Sequence, residues 1–477
     1  MAEKKKFFIT TAIDYVNAAP HIGHAYEKLL ADIIARWQRL QGKKVHFLTG
    51  TDENAQKNEQ AAREANKPIK EFINHNAEKF VTLCKKLNIS YDEFIRTTEQ
   101  RHIKKAQEFI KKAHEQGDIY KGSYEGLYCE GCEEFKTEKD LVDGKCPEHN
   151  RAPKIMSEEA YFFKLSKYQD KIKSALKNSL ILPKARENEI AKRLEEEDLK
   201  DLCITRKNAV WGIDFPLDKE FKIYVWFDAL VNYITGAGKK EEFWPADLQI
   251  VGKGIAWFHT VIWPAMLLST GYKLPKNILV HGYLTVDGKK MSKSLGNVVD
   301  PLKLLDKYPT DSIRYFLVRD IPVSNDGDFS EEMLKERHNN ELANKLGNLV
   351  SRVSTLAEKY GLEKPNADLD KDNVIRSISK HMENYELDKA LHEIFAFVDS
   401  LNQLMQNEKP WETKNKEILY EVVDGIKVAA ILISSFMPET ADKIANTFNF
   451  DISLKSLKSP LKVSKIKKAD ILFKKIE

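Results

Sequence analysis

The chain has 477 residues, 42% apolar and 10% aromatic. That is a globular composition, and at ~100–200 residues per domain it implies about three or four units rather than one core. Lysine plus arginine (76) barely exceed aspartate plus glutamate (72), and the net charge of +4 does not itself point to nucleic acid, although a local basic face can hide in a balanced total. No stretch approaches ~18 uninterrupted apolar residues, so no membrane-spanning helix is expected.

The amino end, MAEKKKFFITTAIDY, carries positive charge but neither a long apolar region nor a small-residue cleavage site, and reads as a cytosolic start leading into a first strand, FFITTAI (7–13). After a turn, Ile22, Ala25, Leu29, Ile33, Ile34, Trp37 and Leu40 recur at intervals of three and four, and Gly42 closes the run: an amphipathic helix with a glycine stop. KVHFLTG (44–50) is the next strand. Strand, helix, strand is a βαβ unit, so a parallel, doubly wound, Rossmann-like α/β sheet is expected, with ligands at the carboxyl ends of its strands. NAAPHIGH (17–24) and GTDEN (50–54) then share one rim.

Residues 116–160 are turn-rich and hold three of the five cysteines; Cys84 and Cys203 stand apart and read as buried apolar residues. An odd, clustered set argues for reduced thiols rather than a disulfide framework. Cys129 and Cys132, then Cys146 and His149, form two knuckles of three thiols and one imidazole, which fits a closed tetrahedral zinc site of structural type. FKIYVWFDALVNYI (221–234), LQIVGKGIAWFHTVIWPAMLLSTG (248–271) and NILVHGYLTV (277–286) return to strand–helix patterning. The expected division is therefore 1–115 with 225–280 as the α/β domain, 116–224 as an insertion, 281–335 as a connecting region, and 336–477 as a helical bundle punctuated by Pro410, Gly425 and Pro438. The tail from Lys455 holds eight lysines and two acids, either a solvated surface or an RNA-facing edge.

His21 and His24 lie at a predicted helix start, where free N–H groups favour an anion, and Gly23 lets a base or phosphate approach the backbone. By spacing alone the pair suits phosphate binding and a structural role equally well; zinc by the pair alone lacks a third ligand. DGKKMSKSLGN (287–297) places Lys290 and Lys293 three apart in a cationic loop suited to a polyphosphate, although taken alone it is an ordinary lysine-rich loop and does not match the G-x-x-x-x-G-K-[ST] pattern.

Together, His-x-Gly-His at the first βα turn and a later Lys-Met-Ser-Lys-Ser resemble the class I aminoacyl-tRNA synthetases. AIDYVNAAPHIGH (12–24), FLTGTDE (47–53), the cysteine knuckles, YVWFDALVNY (224–233), VGKGIAWFHTVIWPAML (251–267), VHGYLTVDGKKMSKSLGN (280–297), LGNLVSR (346–352) and KPW (409–411) are similar, in order, to the methionyl-tRNA synthetases. The resemblance covers essentially the whole chain. It implies a catalytic α/β domain and an anticodon-binding bundle, with methionine, ATP and both initiator and elongator tRNA(Met) as partners, Mg²⁺ accompanying ATP, one structural Zn²⁺ and no membrane.

The same resemblance assigns His21, His24, Lys290 and Lys293 to catalysis, with Gly23 and Gly252 beside them at ATP. It assigns Ile13, Tyr15, Asp52, Trp226, Ala229, Leu230, Tyr233, Ile255, Phe258 and His259 to methionine, Asp52 holding the ammonium. Asn348, Arg352 and Trp411 match anticodon readers. Asp14, Asn54-Ala55 and Gly254 depart from the family pattern; Gly254 replaces an acid that helps bind ribose. The sequence ends at KKIE without the extra tRNA-binding, dimer-forming domain of some members, from which a monomer is expected. Two other readings are a tRNA-binding protein with a degraded active site, and a sister ligase for cysteine, leucine, isoleucine or valine. Against the first stands the intact set His21, His24, Asp52, Lys290 and Lys293. Against the second stand the grouping of all four zinc ligands in the insertion and an insertion too short for an editing domain.

Overall fold

In the computed structural model, all residues are described except 1–4, 130–133, 137–140, 148–149, 208, 292–295, 366–370 and 463–464. Parallel strands Glu93–Arg96, Lys44–Asp52, Lys6–Thr11, Leu248–Gly252 and Asn277–His281 lie side by side in that order. The order reverses between Lys6–Thr11 and Leu248–Gly252, and a ligand crevice is expected outside such a reversal. Alternation along the first strand decides which face each side chain serves. Phe7 and Ile9 join the core under helix Ile22–Leu40, while Phe8 joins the core of the other face with Phe109 and Trp263. Both faces are covered by helices, as a parallel sheet requires.

The first strand ends at Thr11, two residues earlier than the apolar run suggested. Ala12 donates its N–H to Ile250 O (3.1 Å), and the chain turns to form the two-residue strand Asp14–Tyr15 beside Thr51 and Asp52. This bend is what brings residues 12–15 over the strand ends.

The segment between Gln100–Glu115 and Phe221–Ile223 builds an antiparallel sheet around Ile119–Cys129 and Lys154–Phe163. It is not wholly separate from the α/β core, because Ile181–Leu182 returns to pair in parallel with Asn277–His281 at the edge of the main sheet. Beyond it, Leu284–Val286 pairs with Lys289–Lys290 and with Gly327–Phe329.

From Glu331 to Tyr360 the helical run is continuous, with π-type geometry over His338–Gly347. Helices Asp372–Glu383, Leu387–Glu408, Lys416–Ile433 and Pro438–Phe448 complete the bundle. Pro410 and Pro438 open helices, as expected. Gly425 does not punctuate: it sits inside Lys416–Ile433, where a Cβ would stand 2.5 Å from Leu401 Cδ2, so its smallness serves close helix packing. The tail is an ordered strap. Ala469 N–H donates to Ser354 Oγ (2.9 Å) and Ile466 and Phe473 are buried, while all eight of its lysines are exposed. Among the described residues no helix is long and apolar enough to cross a membrane.

Candidate active site

A cavity of about 360 Å³ opens at the carboxyl ends of the central strands, at the reversal of strand order. Its lining combines polar groups, His21, Gly23, His24 and Asp52, with an apolar and aromatic set, Ile13, Tyr15, Trp226, Ala229, Leu230, Tyr233 and Ile255 with His259. Gly252 lines it too. Segments more than 200 positions apart thus converge: residues 13–24, 52, 252–259 and 281 end or follow strands of the main sheet, while 226–233 follow Phe221–Ile223, which pairs with Thr205–Lys207 in a separate sheet.

The two histidines cap the helix Ile22–Leu40. Gly23 N–H donates to His21 Nδ1 (3.1 Å) and His21 N–H donates to His24 Nδ1 (3.0 Å), a reciprocal box usually built from Ser/Thr and Glu/Gln. The rings stack at 3.7 Å and 28°. Each Nδ1 accepts a backbone proton, so each neutral ring carries its own proton on Nε2 and is a donor there. Burial, then the neighbouring His24, lowers His21 to about 3; burial, then Lys28, lowers His24 to about 3. Both imidazoles are therefore neutral donors across the physiological range. The spacing alone left phosphate and structural roles open; the geometry shows the structural one, the Nδ1 atoms capping the helix, and capping does not use the Nε2 protons.

The aromatic wall is built in layers. Trp226 stacks on Phe258 (3.9 Å, 8°), and Tyr15 and His259 meet Trp226 edge-on at 6.4 and 6.0 Å. Phe258 is thus a backing layer for Trp226 rather than a wall of the cavity. His259 sits in the π-helix Phe258–Ile262, where Nδ1 donates to Ile255 O (3.0 Å) and Nε2 accepts from Tyr233 Oη (2.8 Å). Burial lowers His259 to about 4, so this hydrogen-bonded ring is neutral too. Asp52 is 3% exposed and its Oδ1 has no hydrogen-bond partner among the described residues. Burial, then the Asp228 carboxyl, pushes Asp52 well above the usual carboxylate range. A cation bound there would relieve both terms, which suits an ammonium.

The cavity also holds residues that the motifs did not single out: Asp14, Glu27, His281, Tyr283 and Met291. Glu27 follows His24 by one helical step on the same face, a periodicity visible in the sequence. Its Oε2 meets His281 Nε2 (3.1 Å), while its buried Oε1 has no hydrogen-bond partner among the described residues. At Gly254 a Cβ would stand 2.6 Å from Tyr283 Oη, so the tyrosine fills the space a side chain there would need. Asn54 donates from Nδ2 to Thr97 O (3.1 Å), a local bond that anchors the turn after Asp52.

The main chain of Lys290 pairs with Thr285, and Met291 next to it lines the cavity; Lys293 lies outside the described residues. Cys132 and His149 also lie outside them, and of Cys129 only the main chain, at the end of Ile119–Cys129, is described. Cys146 is buried at a tight turn containing Asp143 and Gly144, its N–H bonded to Arg151 O (2.9 Å). No group of three or more metal-ligating side chains occurs among the described residues.

In the bundle, Asn348 and Arg352 stand one turn apart on helix Asn348–Tyr360, both exposed. The Arg352 guanidinium lies 4.9 Å from the centre of the Trp411 ring, and Trp411 donates to Glu412 Oε1 (3.3 Å). The sequence-predicted trio therefore shares one surface.

Comparison with known proteins supplies the family. The model for class I tRNA synthetases (M) matches residues 7–154 and 148–354, and that for the anticodon-binding domain of tRNA ligase matches 370–475. Methionine–tRNA ligase of Caldanaerobacter subterraneus subsp. tengcongensis is 43% identical over 507 residues, covering 99% of this chain and 79% of the relative. The Thermotoga maritima enzyme is 44% identical over 476 residues, covering 94% and 76%. The structure of Mycobacterium tuberculosis methionyl-tRNA synthetase in complex with methionyl-adenylate superposes with a TM-score of 0.91 at 36% identity, covering 98% of this chain and 99% of that one. Sequence, fold and domain order agree, and the chain belongs to the methionine–tRNA ligases of class I.

Proposed function

We propose that the chain activates methionine with ATP and transfers it to the 3′-terminal adenosine of initiator and elongator tRNA(Met). The observation that carries this reading is a single cavity holding a buried Asp52 carboxyl whose Oδ1 has no hydrogen-bond partner among the described residues, an aromatic pocket and two neutral histidine donors. Methionine fits with its ammonium at Asp52 and its thioether against Trp226, Tyr15 and Tyr233, because sulfur packs well on ring edges. Its carboxylate oxygen then attacks the α-phosphorus of ATP and pyrophosphate leaves; the tRNA 2′-hydroxyl oxygen next attacks the carbonyl carbon of the adenylate, so the methionyl group passes to the tRNA as an ester and AMP leaves. His21 and His24 donate from Nε2 to oxygens that gain charge at the α-phosphate, and Lys290 and Lys293 attend the departing pyrophosphate with Mg²⁺. The ribose contact that an acid at 254 would make falls to Glu27, which lines the same cavity and whose buried Oε1 has no hydrogen-bond partner among the described residues.

Asn348, Arg352 and Trp411 read the anticodon by stacking and amide bonds. Cys129, Cys132, Cys146 and His149 hold one structural Zn²⁺; three thiols and an imidazole are a donor set zinc favours, and the buried Cys146 on its Asp143–Gly144 turn suits a knuckle. The protein acts in the cytoplasm as a monomer, for which light scattering should return 54.9 kDa.

Amino-acid-dependent ATP–pyrophosphate exchange across all twenty amino acids tests the activity. Methionine should give the largest signal; no signal with methionine, or a larger one with another amino acid, overturns the reading.

A further inference from the structure

Asp14 and Lys28 form an ion pair at the edge of the ATP end of the cavity. Asp14 lies in the short strand Asp14–Tyr15, and Lys28 in the helix that the histidines cap. Lys28 is completely buried and Asp14 is 8% exposed, with its carboxylate lining the cavity and the ammonium behind it. Asp14 Oδ2 contacts Lys28 Nζ, and Asp14 Oδ1 lies 3.9 Å from His24 Nε2. That nitrogen carries the only proton of the neutral His24 ring, because Nδ1 is occupied by the His21 N–H.

A lone carboxylate in this position would work against the site. It would orient the His24 ring by charge–dipole attraction at 3.9 Å, beyond hydrogen-bond reach, so the Nε2 proton stays available to the phosphate, yet it would repel a polyphosphate a few ångströms away in a medium that screens poorly. A cation directly behind it cancels the second effect while leaving the first. We propose that Asp14 and Lys28 act as one neutral unit that positions His24 for the α-phosphate, Lys28 serving to keep the Asp14 charge from opposing ATP. The inference rests on the methionine-activation reading given above.

The energetics fit this division. A fully buried ion pair is seldom a source of stability, because an apolar pair of similar volume does as well, whereas removing one partner strands the other. Burial pulls the Lys28 ammonium down, and Asp14 with Glu27 more than offsets it, so it stays charged. Burial pushes Asp14 up and Lys28 pulls part of that back. The other groups that face the pair are His21 and His24 on its own helix, Cys84 on Ile69–Lys86 and Tyr233 on Asn232–Thr235. The histidines are lowered to about 3, Cys84 is raised to about 12 and Tyr233 is raised well above its ordinary value. None of these four changes charge between pH 6 and pH 8.5, and Glu27 also faces Lys28, so an ionisation that appears there when Lys28 is replaced and disappears in the D14N/K28M variant belongs to Asp14.

The test is methionine-dependent ATP–pyrophosphate exchange from pH 6 to 8.5, at saturating methionine, with the parent, D14N, K28M and the D14N/K28M double variant. Circular dichroism and methionine binding by tryptophan fluorescence report folding. An inactive parent would defeat the functional reading itself; the present inference is judged only against an active one. K28M should raise the KM for ATP about tenfold or more at pH 8, a factor worth ~1.4 kcal/mol, with the defect shrinking toward pH 6 as Asp14 takes a proton. The double variant should return the KM to within about threefold of the parent, by removal of the uncompensated charge. D14N alone should leave the KM near the parent value and lower kcat about fivefold or more, through loss of His24 orientation. A K28M defect that is independent of pH, or a double variant no better than K28M, overturns the inference. Should K28M not fold, D14N decides: an unchanged kcat overturns the positioning role, and a lowered kcat with unchanged KM supports it.

Discussion

The terminal methyl carbon of Met291 lies 3.6 Å from the point a Cβ on Gly23 would occupy. Met291 of one signature motif thus comes within van der Waals reach of a side chain placed at Gly23 of the other, although 268 positions separate them in the chain. The same imagined Cβ would stand 2.9 Å from His21 Cε1. Gly23 is therefore held small by the His21 ring.

Gly23→Ala should displace the His21 ring and weaken the Gly23 N–H to His21 Nδ1 bond. We expect the adenylation rate constant to fall about tenfold to a hundredfold, with methionine binding unchanged, as for loss of a positioned donor. Stopped-flow tryptophan fluorescence separates the two; an unchanged adenylation rate would show that the ring has room to move.

His21→Ala and His24→Ala should each lower the adenylation rate constant more than they weaken ATP affinity, because both donors act where charge develops. Since both rings are neutral, with values lowered to about 3, the parent rate profile should show no ionisation of His21 or His24 near 6.5, where an exposed imidazole titrates. A parent step at that pH that vanished in either variant would count against neutral donors.

Stability carries the matching signature. His21, His24, His102 and His259 have folded-state values lowered to about 3 or 4, against 6.5 for an exposed ring. Between these limits the unfolded chain binds more protons than the folded one, so stability is full above the unfolded value and falls as pH drops through the window. Thermal melts from pH 7 to 4 should show this decline. His102→Gln, which keeps a polar partner for Thr235 Oγ1, should make it shallower. An identical slope would mean that carboxylates alone account for acid unfolding.

Glu27→Gln tests the ribose assignment. The parent should prefer ATP to 2′-deoxy- or 3′-deoxy-ATP, and the variant should lose most of the preference for at least one of them, a difference of ~1–3 kcal/mol for a charged hydrogen bond. Equal discrimination in both proteins would place the ribose contact elsewhere.

Trp411→Ala should reduce charging of tRNA far more than adenylate formation, since the ring stands against Arg352 in the bundle and not at the cavity. Base stacking on an aromatic plane is worth ~1–3 kcal/mol, a loss measurable as a raised KM for tRNA. Equal loss in both reactions would make Trp411 a packing residue.

Much of this was legible in the chain itself. The apolar run 7–13, the three–four periodicity from Ile22 to Leu40 and the strand at Val45 fixed a βαβ unit and placed both His-x-Gly-His and Thr-Asp-Glu on one rim, because strand and helix periods are local properties. Glycine roles were less so: Gly425 reads as a helix breaker, and only the facing Leu401 reveals it as a contact. The lysine tail reads as solvated, and its buried Ile466 and Phe473 show a strap.

The sequence by itself determined the sheet, the bundle and the residue types available for phosphate, thioether and ammonium. Only the tertiary structure decided how they are used. It gave each histidine two tasks, capping through Nδ1 and donating through Nε2, because the direction of a ring depends on which backbone N–H it meets. It set Glu27 and Gly254 in the lining of one cavity, and it seated the Asp14 carboxylate between Lys28 and His24. Partnership between distant charges depends on where strands end and helices begin in space, and that is settled by packing rather than by spacing along the chain.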